Sequence, residues 1–99
     1  MGDVSRFRDN AAARGYEFRL TVENVVKMWD NQGGRCAISG IEMSKRPRTW
    51  SLDRKDNSLG YTPENVWLVE KRLNIMRNVI GVEEFIQLCE AVAEWNGDR

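Results

Sequence analysis

Ser51-Leu52-Asp53-Arg54-Lys55-Asp56-Asn57-Ser58-Leu59-Gly60-Tyr61-Thr62-Pro63-Glu64-Asn65-Val66 is the stretch on which the fold turns. Its first residues complete the run Thr49-Trp50-Ser51-Leu52-Asp53, whose alternation and β-favouring side chains predict a strand over 49–53. Lys55 to Gly60 is a polar loop. Thr62-Pro63-Glu64-Asn65 has two readings: Thr before Pro is a good helix start, yet Val66-Trp67-Leu68-Val69 is a strand-like run. Propensity does not divide them. We take a turn at 62–65, a strand at 66–69 and a helix over 70–77, so that strand, loop, strand and short helix follow one another.

Upstream, Val4 to Arg14 reads as a short helix that stops at Gly15, with Arg6, Arg8 and Arg14 making much of its surface basic. Thr21 is the candidate cap of a second helix, in which Val22, Val25, Val26 and Trp29 recur at helical spacing before Asn31-Gln32-Gly33-Gly34 ends it. Leu20, just before the cap, is placed to staple against Val25. Cys36-Ala37-Ile38, Ser39-Gly40 and Ile41-Glu42-Met43 form a tight apolar turn between two short extended pieces. Downstream, a helix over 82–95 should turn Val82, Phe85, Ile86, Cys89, Val92 and Ala93 inward. The fold class is α+β, a small core over about 33–78 with flanking N-terminal and C-terminal helices, in one domain over 1–99.

Composition bounds the function. The chain is 41% hydrophobic and 30% charged, the balance of a globular protein. No run approaches a membrane span, and Met1-Gly2-Asp3-Val4-Ser5-Arg6 lacks the apolar core of a secretory leader, so a cytoplasmic protein without a membrane partner is expected. Cys36 and Cys89 are far apart and belong to no Cys-x-x-Cys pair, which predicts two reduced, largely buried thiols. The four tryptophans are expected in the core. Net charge is zero, but residues 1–77 hold fourteen Lys and Arg against ten acids, and residues 78–99 one against five. Lys45, Arg46, Arg48, Lys55 and Lys71 are candidate nucleic-acid contacts, since each neutralised phosphate releases counterions. A solvated basic loop is the alternative.

Residues 49–77 resemble the ββα-metal core of the HNH endonucleases, and the similarity extends over roughly 15–90. In that family a strand Asp ligates a divalent metal, the next residue is commonly the base His, a mid-motif Asn ties the loop, and a His or Asn nine positions later is the second ligand. The resemblance implies Asp53 and Asn74 as metal ligands and Asn65 as the loop asparagine. Arg54 stands where the histidine belongs, and the chain contains no histidine. Gly33-Gly34-Arg35-Cys36-Ala37-Ile38-Ser39-Gly40 is similar to the knuckle that opens a structural zinc site in short phage and bacterial members. Ser39, Glu70 and Leu73 occupy the other cysteine positions, so no structural zinc is expected.

The implied activity is cleavage or nicking of DNA phosphodiesters with Mg²⁺ or Mn²⁺, in the host cytoplasm if the protein is phage-encoded. A hard dication needs only one or two protein oxygens besides substrate phosphate, and Asp53 with the Asn74 amide oxygen would suffice. Arg54 cannot be the base, because guanidinium stays protonated. It is a candidate phosphate clamp, or a salt-bridge partner of Asp56 or Glu70. Asp56 is a possible substitute base, with Lys55 or Tyr61 if strongly perturbed. A module that binds DNA or a protein partner without cutting is the alternative function. As a ligand only, Asp53 should tolerate Asp53→Ala without loss of the fold. Oligomeric state, strand preference and RNA against DNA are not legible.

Overall fold

In the computed structural model, which describes residues 3–97, the chain is an α+β fold of four helices and a two-stranded antiparallel sheet. The elements are α1 (Ser5–Ala13), α2 (Val22–Gln32), β1 (Trp50–Arg54), β2 (Val66–Glu70), α3 (Lys71–Arg77) and α4 (Val82–Gly97). Met1, Gly2, Asp98 and Arg99, which entered the readings of the leader and of the charge balance, lie outside the described residues. The ambiguous Thr62-Pro63-Glu64-Asn65 segment resolves as a turn followed by a strand, as expected.

β1 and β2 pair Trp50 with Glu70, Leu52 with Leu68 and Arg54 with Val66. Leu68 and Val69 are fully buried, and with Trp50, Leu52 and Val66 they meet Leu20, Val25, Cys36 and Met43 in one core. α2 begins where Thr21 and Asn24 cap one another reciprocally, and it ends at Gly33, whose φ of 63° is the left-handed conformation that a Cβ disfavours. Its last residue, Gln32, mimics a neighbouring strand: its side chain accepts from Leu68 N and donates to Leu68 O, at 3.0 and 2.9 Å, which covers the outer edge of β2.

The 35–43 turn forms as read. Arg35 and Glu42 bridge, Cys36 N donates to Ile41 O, and Ala37 N reaches across to Leu68 O. α3 starts at Glu70, whose carboxylate accepts from Arg72 N and Leu73 N at 3.0 and 3.3 Å. α1 lies against the sheet through Phe7, whose ring centroid is 5.3 Å from that of Trp50.

α4 departs from expectation. Of its predicted inward face only Phe85 is buried; Ile86 is 41% exposed and Val92 63%. Cys89 is exposed rather than buried, and Trp95 is 74% exposed rather than core. The cause is topological. The sheet has two strands, and α2, α3 and the 35–43 turn already occupy its neighbourhood, so the sixteen-residue helix shares an apolar hollow with Ile38 and Leu73 and leaves most of its stripe exposed. No helix among the described residues is long and apolar enough to cross a membrane.

Candidate active site

Side chains alternate along a strand, so Ser51 and Asp53 leave β1 on the same face, and residues three apart on a helix also share a side. That geometry brings α3 onto β1 as two matched contacts. Asn74 Nδ2 donates to Ser51 Oγ at 2.9 Å, and the Arg77 guanidinium bonds Asp53 Oδ1. Asp53 Oδ2 accepts from Trp67 Nε1, its cross-strand neighbour, at 2.8 Å. Asp53 is 4% exposed and Arg77 1%, so this ion pair is almost wholly buried; Arg77 also donates to Ile80 O and Arg54 O, while its Nε has no partner among the described residues.

Asp53 and Asn74 line one depression of about 220 Å³, together with Arg14, Tyr16, Arg54 and Tyr61. A neighbouring groove of about 410 Å³ shares Arg14, Leu52, Tyr61 and Asn74 with it and adds Arg6, Arg48 and Lys71. No carboxylate among the described residues lines the groove.

Arg54 is 7% exposed, and its surroundings differ from those expected. Its Nη1 donates to Asn57 O at 2.7 Å and Leu59 O at 3.0 Å, and its guanidinium lies 3.7 Å above the Tyr16 ring and 5.4 Å from the Tyr61 ring. It pairs with neither Asp56 nor Glu70; Glu70 pairs with Arg72 instead. The reason is reach: the loop carbonyls lie within a few residues of Arg54, and the two tyrosines cover its planar face.

Asn65 ties the loop as its position implied. It accepts from Asp56 N and donates to Asp56 O and Gly60 O, at 3.0, 3.1 and 2.9 Å, and it is 7% exposed. Asp56 does not reach the depression. Its carboxylate accepts from Ser58 N and Oγ at 2.9 and 2.6 Å, and these bonds, with the nearby Arg54 charge, hold its pKa below the ordinary value. A carboxyl made more acidic is a poorer base, and this one lies away from Asp53 and Asn74. Lys55 lies over the Trp67 ring at 5.4 Å, outside both depressions. Lys45 is over Trp29 and lines a third hollow beside Arg6 and Arg48, whereas Arg46 lines none of these.

Sequence reasoning missed Tyr16, Arg77 and the contribution of α1. Gly60 explains the first: a Cβ there would sit 2.8 Å from Glu17 O, and without one Tyr61 N donates to Glu17 O and Arg19 N to Tyr61 O, both at 2.8 Å. This close pairing lays Tyr16 over Arg54.

No family model matches the chain, and no solved structure matches it significantly. The chain is similar to "Uncharacterized protein R423" of Acanthamoeba polyphaga mimivirus, with 27% identity over 90 residues. That match covers 91% of this chain and 16% of the mimivirus protein, so the chain spans about a sixth of its relative's length.

Proposed function

We propose that the chain is an HNH-type, metal-dependent endonuclease that cleaves or nicks DNA phosphodiesters at the depression between the segment that follows α1 and the β1–β2–α3 unit, with the cytoplasm as its place of action. One observation carries this reading: Asp53 and Asn74, from different elements, line a single depression that adjoins a groove lined by Arg6, Arg14, Arg48 and Lys71.

The donor set suits Mg²⁺ or Mn²⁺. An ionised carboxylate offers about four lone-pair sites, and Arg77 and Trp67 engage one on each oxygen of Asp53. Asn74 uses its nitrogen on Ser51, and its oxygen accepts from no protein group among the described residues. When bound, the ion would supply stabilisation of charge developing in phosphodiester cleavage. The chain's own residues do the rest. Trp67 and Arg77 fix the Asp53 carboxylate, Ser51 fixes the Asn74 amide, and Asn65 with Arg54 holds the loop between them. The groove cations hold flanking phosphates.

The test is nicking of supercoiled plasmid with Mg²⁺, Mn²⁺ or chelator by the wild type and by Asp53→Asn. We expect cation-dependent nicking that falls about 100-fold or more in the variant, since even outer-shell partners of a metal are worth about 10–100-fold. Equal rates for the two proteins would remove Asp53 from the reaction. The second reading, a module that binds DNA or a protein partner without cutting, draws on the ion pair itself: a buried guanidinium already neutralises Asp53 and repels a second cation. DNA retention without nicking at any Mg²⁺ or Mn²⁺ concentration would select it.

A further inference from the structure

We propose that Tyr16 is the proton acceptor for the attacking water, taking the part that a histidine would play in a chain that has none. The inference rests on the nuclease reading above.

The placement is built rather than incidental. α1 ends at Ala13, and the backbone turns through Gly15, where φ is 78°. The pairing of Glu17 and Arg19 with Tyr61 then fixes the segment against the loop. Tyr16 consequently lines the same depression as Asp53 and Asn74. The Arg54 guanidinium stacks on its ring at 3.7 Å, Arg14 lies 5.1 Å from the ring centroid, and Tyr61 meets it edge-on at 6.4 Å. The one carboxylate among the described residues that lines that depression, Asp53, is neutralised by Arg77.

A phenol flanked by two guanidiniums ionises more readily. Hydrogen bonding and charge from Arg54 come first, with a lesser effect from Arg14. They outweigh a small desolvation and hold the Tyr16 pKa below its ordinary value of 10. Arg54 thus has a role that neither a clamp nor a base describes: it makes a base of its neighbour. Of the other titratable candidates named from the sequence, Asp56 points to Ser58 and Lys55 to Trp67, while Tyr61 lines the same depression and is therefore the control below. In the step itself, the Tyr16 phenolate takes a proton from water as the water oxygen bonds to phosphorus. The bond from phosphorus to the 3′ oxygen breaks, that oxygen takes a proton from solvent, and the Tyr16 phenol returns its proton to solvent.

Tyr16→Phe keeps the ring against Arg54 and removes only the hydroxyl, with Tyr61→Phe as control. Three readouts apply: plasmid nicking with Mg²⁺ across pH, DNA binding, and ultraviolet titration of tyrosinate in a chain with two tyrosines. We expect Tyr16→Phe to nick about 10²–10⁴-fold more slowly, the usual worth of a positioned base. It should bind DNA unchanged and lose both the rising limb of the pH profile and the lower tyrosinate transition. Nicking by Tyr16→Phe at the wild-type rate overturns this inference and leaves the nuclease reading standing. Loss of the limb in Tyr61→Phe instead also overturns it, as does a lower transition that survives in Tyr16→Phe. A wild type that never nicks overturns both.

Discussion

Asp53 and Arg77 place a carboxylate and a guanidinium where water scarcely reaches, at 4% and 1% exposure. Removing one partner of such a pair strands the other charge, at a cost of about 3–5 kcal/mol. A small domain has only about 5–15 kcal/mol in total. Asp53→Ala is therefore expected to lower the urea midpoint severely or unfold the chain, not to leave the fold intact as a ligand-only role would. Urea unfolding followed by circular dichroism checks this; an unshifted midpoint would contradict the buried pair. For this reason Asp53→Asn, which keeps an acceptor for Arg77, is the variant suited to activity. That Asn65 ties the loop and that Asp53 and Asn74 share one depression could be anticipated because the three sit at fixed offsets within the stretch that carries the resemblance. Arg77 could not be, because an arginine in the last turn of a helix is ordinarily solvated and complements the helix dipole. Its burial depends on how α3 packs on β1, which offsets along the chain do not encode. Tyr16 was hidden for a similar reason: it meets Arg54 across a contact that only Gly60 permits.

The elements followed the sequence wherever a local rule governed them. The cap at Thr21, the stop at Gly33 and the extended run of β1 are decided within a few residues, and they appear as read, although Leu52, Asp53 and Arg54 are buried in succession rather than in alternation. α4 is the counterexample, because its apolar stripe is periodic enough to predict a helix but periodicity does not say whether a partner face exists. The 35–43 turn shows a third case, in which a knuckle closes on hydrogen bonds. Burial alone would raise the Cys36 pKa, but hydrogen bonds from Ser39 and from the backbone of Glu70, Ser39 and Ile38 lower it overall. Glu70 is occupied in capping α3 and pairing with Arg72, and Leu73 has no donor atom. Since these partners already satisfy the turn, chelator should leave the thermal unfolding midpoint unchanged, whereas a zinc-dependent knuckle would melt on metal removal. Stoichiometric zinc in purified protein, together with a chelator-induced drop in the midpoint, would contradict this account.

On the scale of the whole molecule, zero net charge conceals a division of labour. The groove beside Asn74 is lined by Arg6, Arg14, Arg48 and Lys71 with no acid among the described residues, while Glu83, Glu84, Glu90 and Glu94 all fall on α4. A phosphodiester chain meets the local field, not the average, because charges farther apart than about 8–10 Å are screened at physiological salt. The sequence identified a basic cluster correctly as a composition but not as a surface: Arg48 and Lys71 line the groove, whereas Arg46 and Lys55 do not. This difference can be measured. Each lost phosphate contact should flatten the slope of log affinity against log salt by about 0.9 on duplex DNA. Arg48→Ala with Lys71→Ala should therefore flatten it by about 1.8. Arg46→Ala with Lys55→Ala, which removes the same formal charge, should leave the slope close to wild type. Fluorescence anisotropy of labelled duplex across a salt series reads both. Equal flattening by the two pairs would mean that DNA responds to net charge alone, and the groove would lose its claim to be the binding surface.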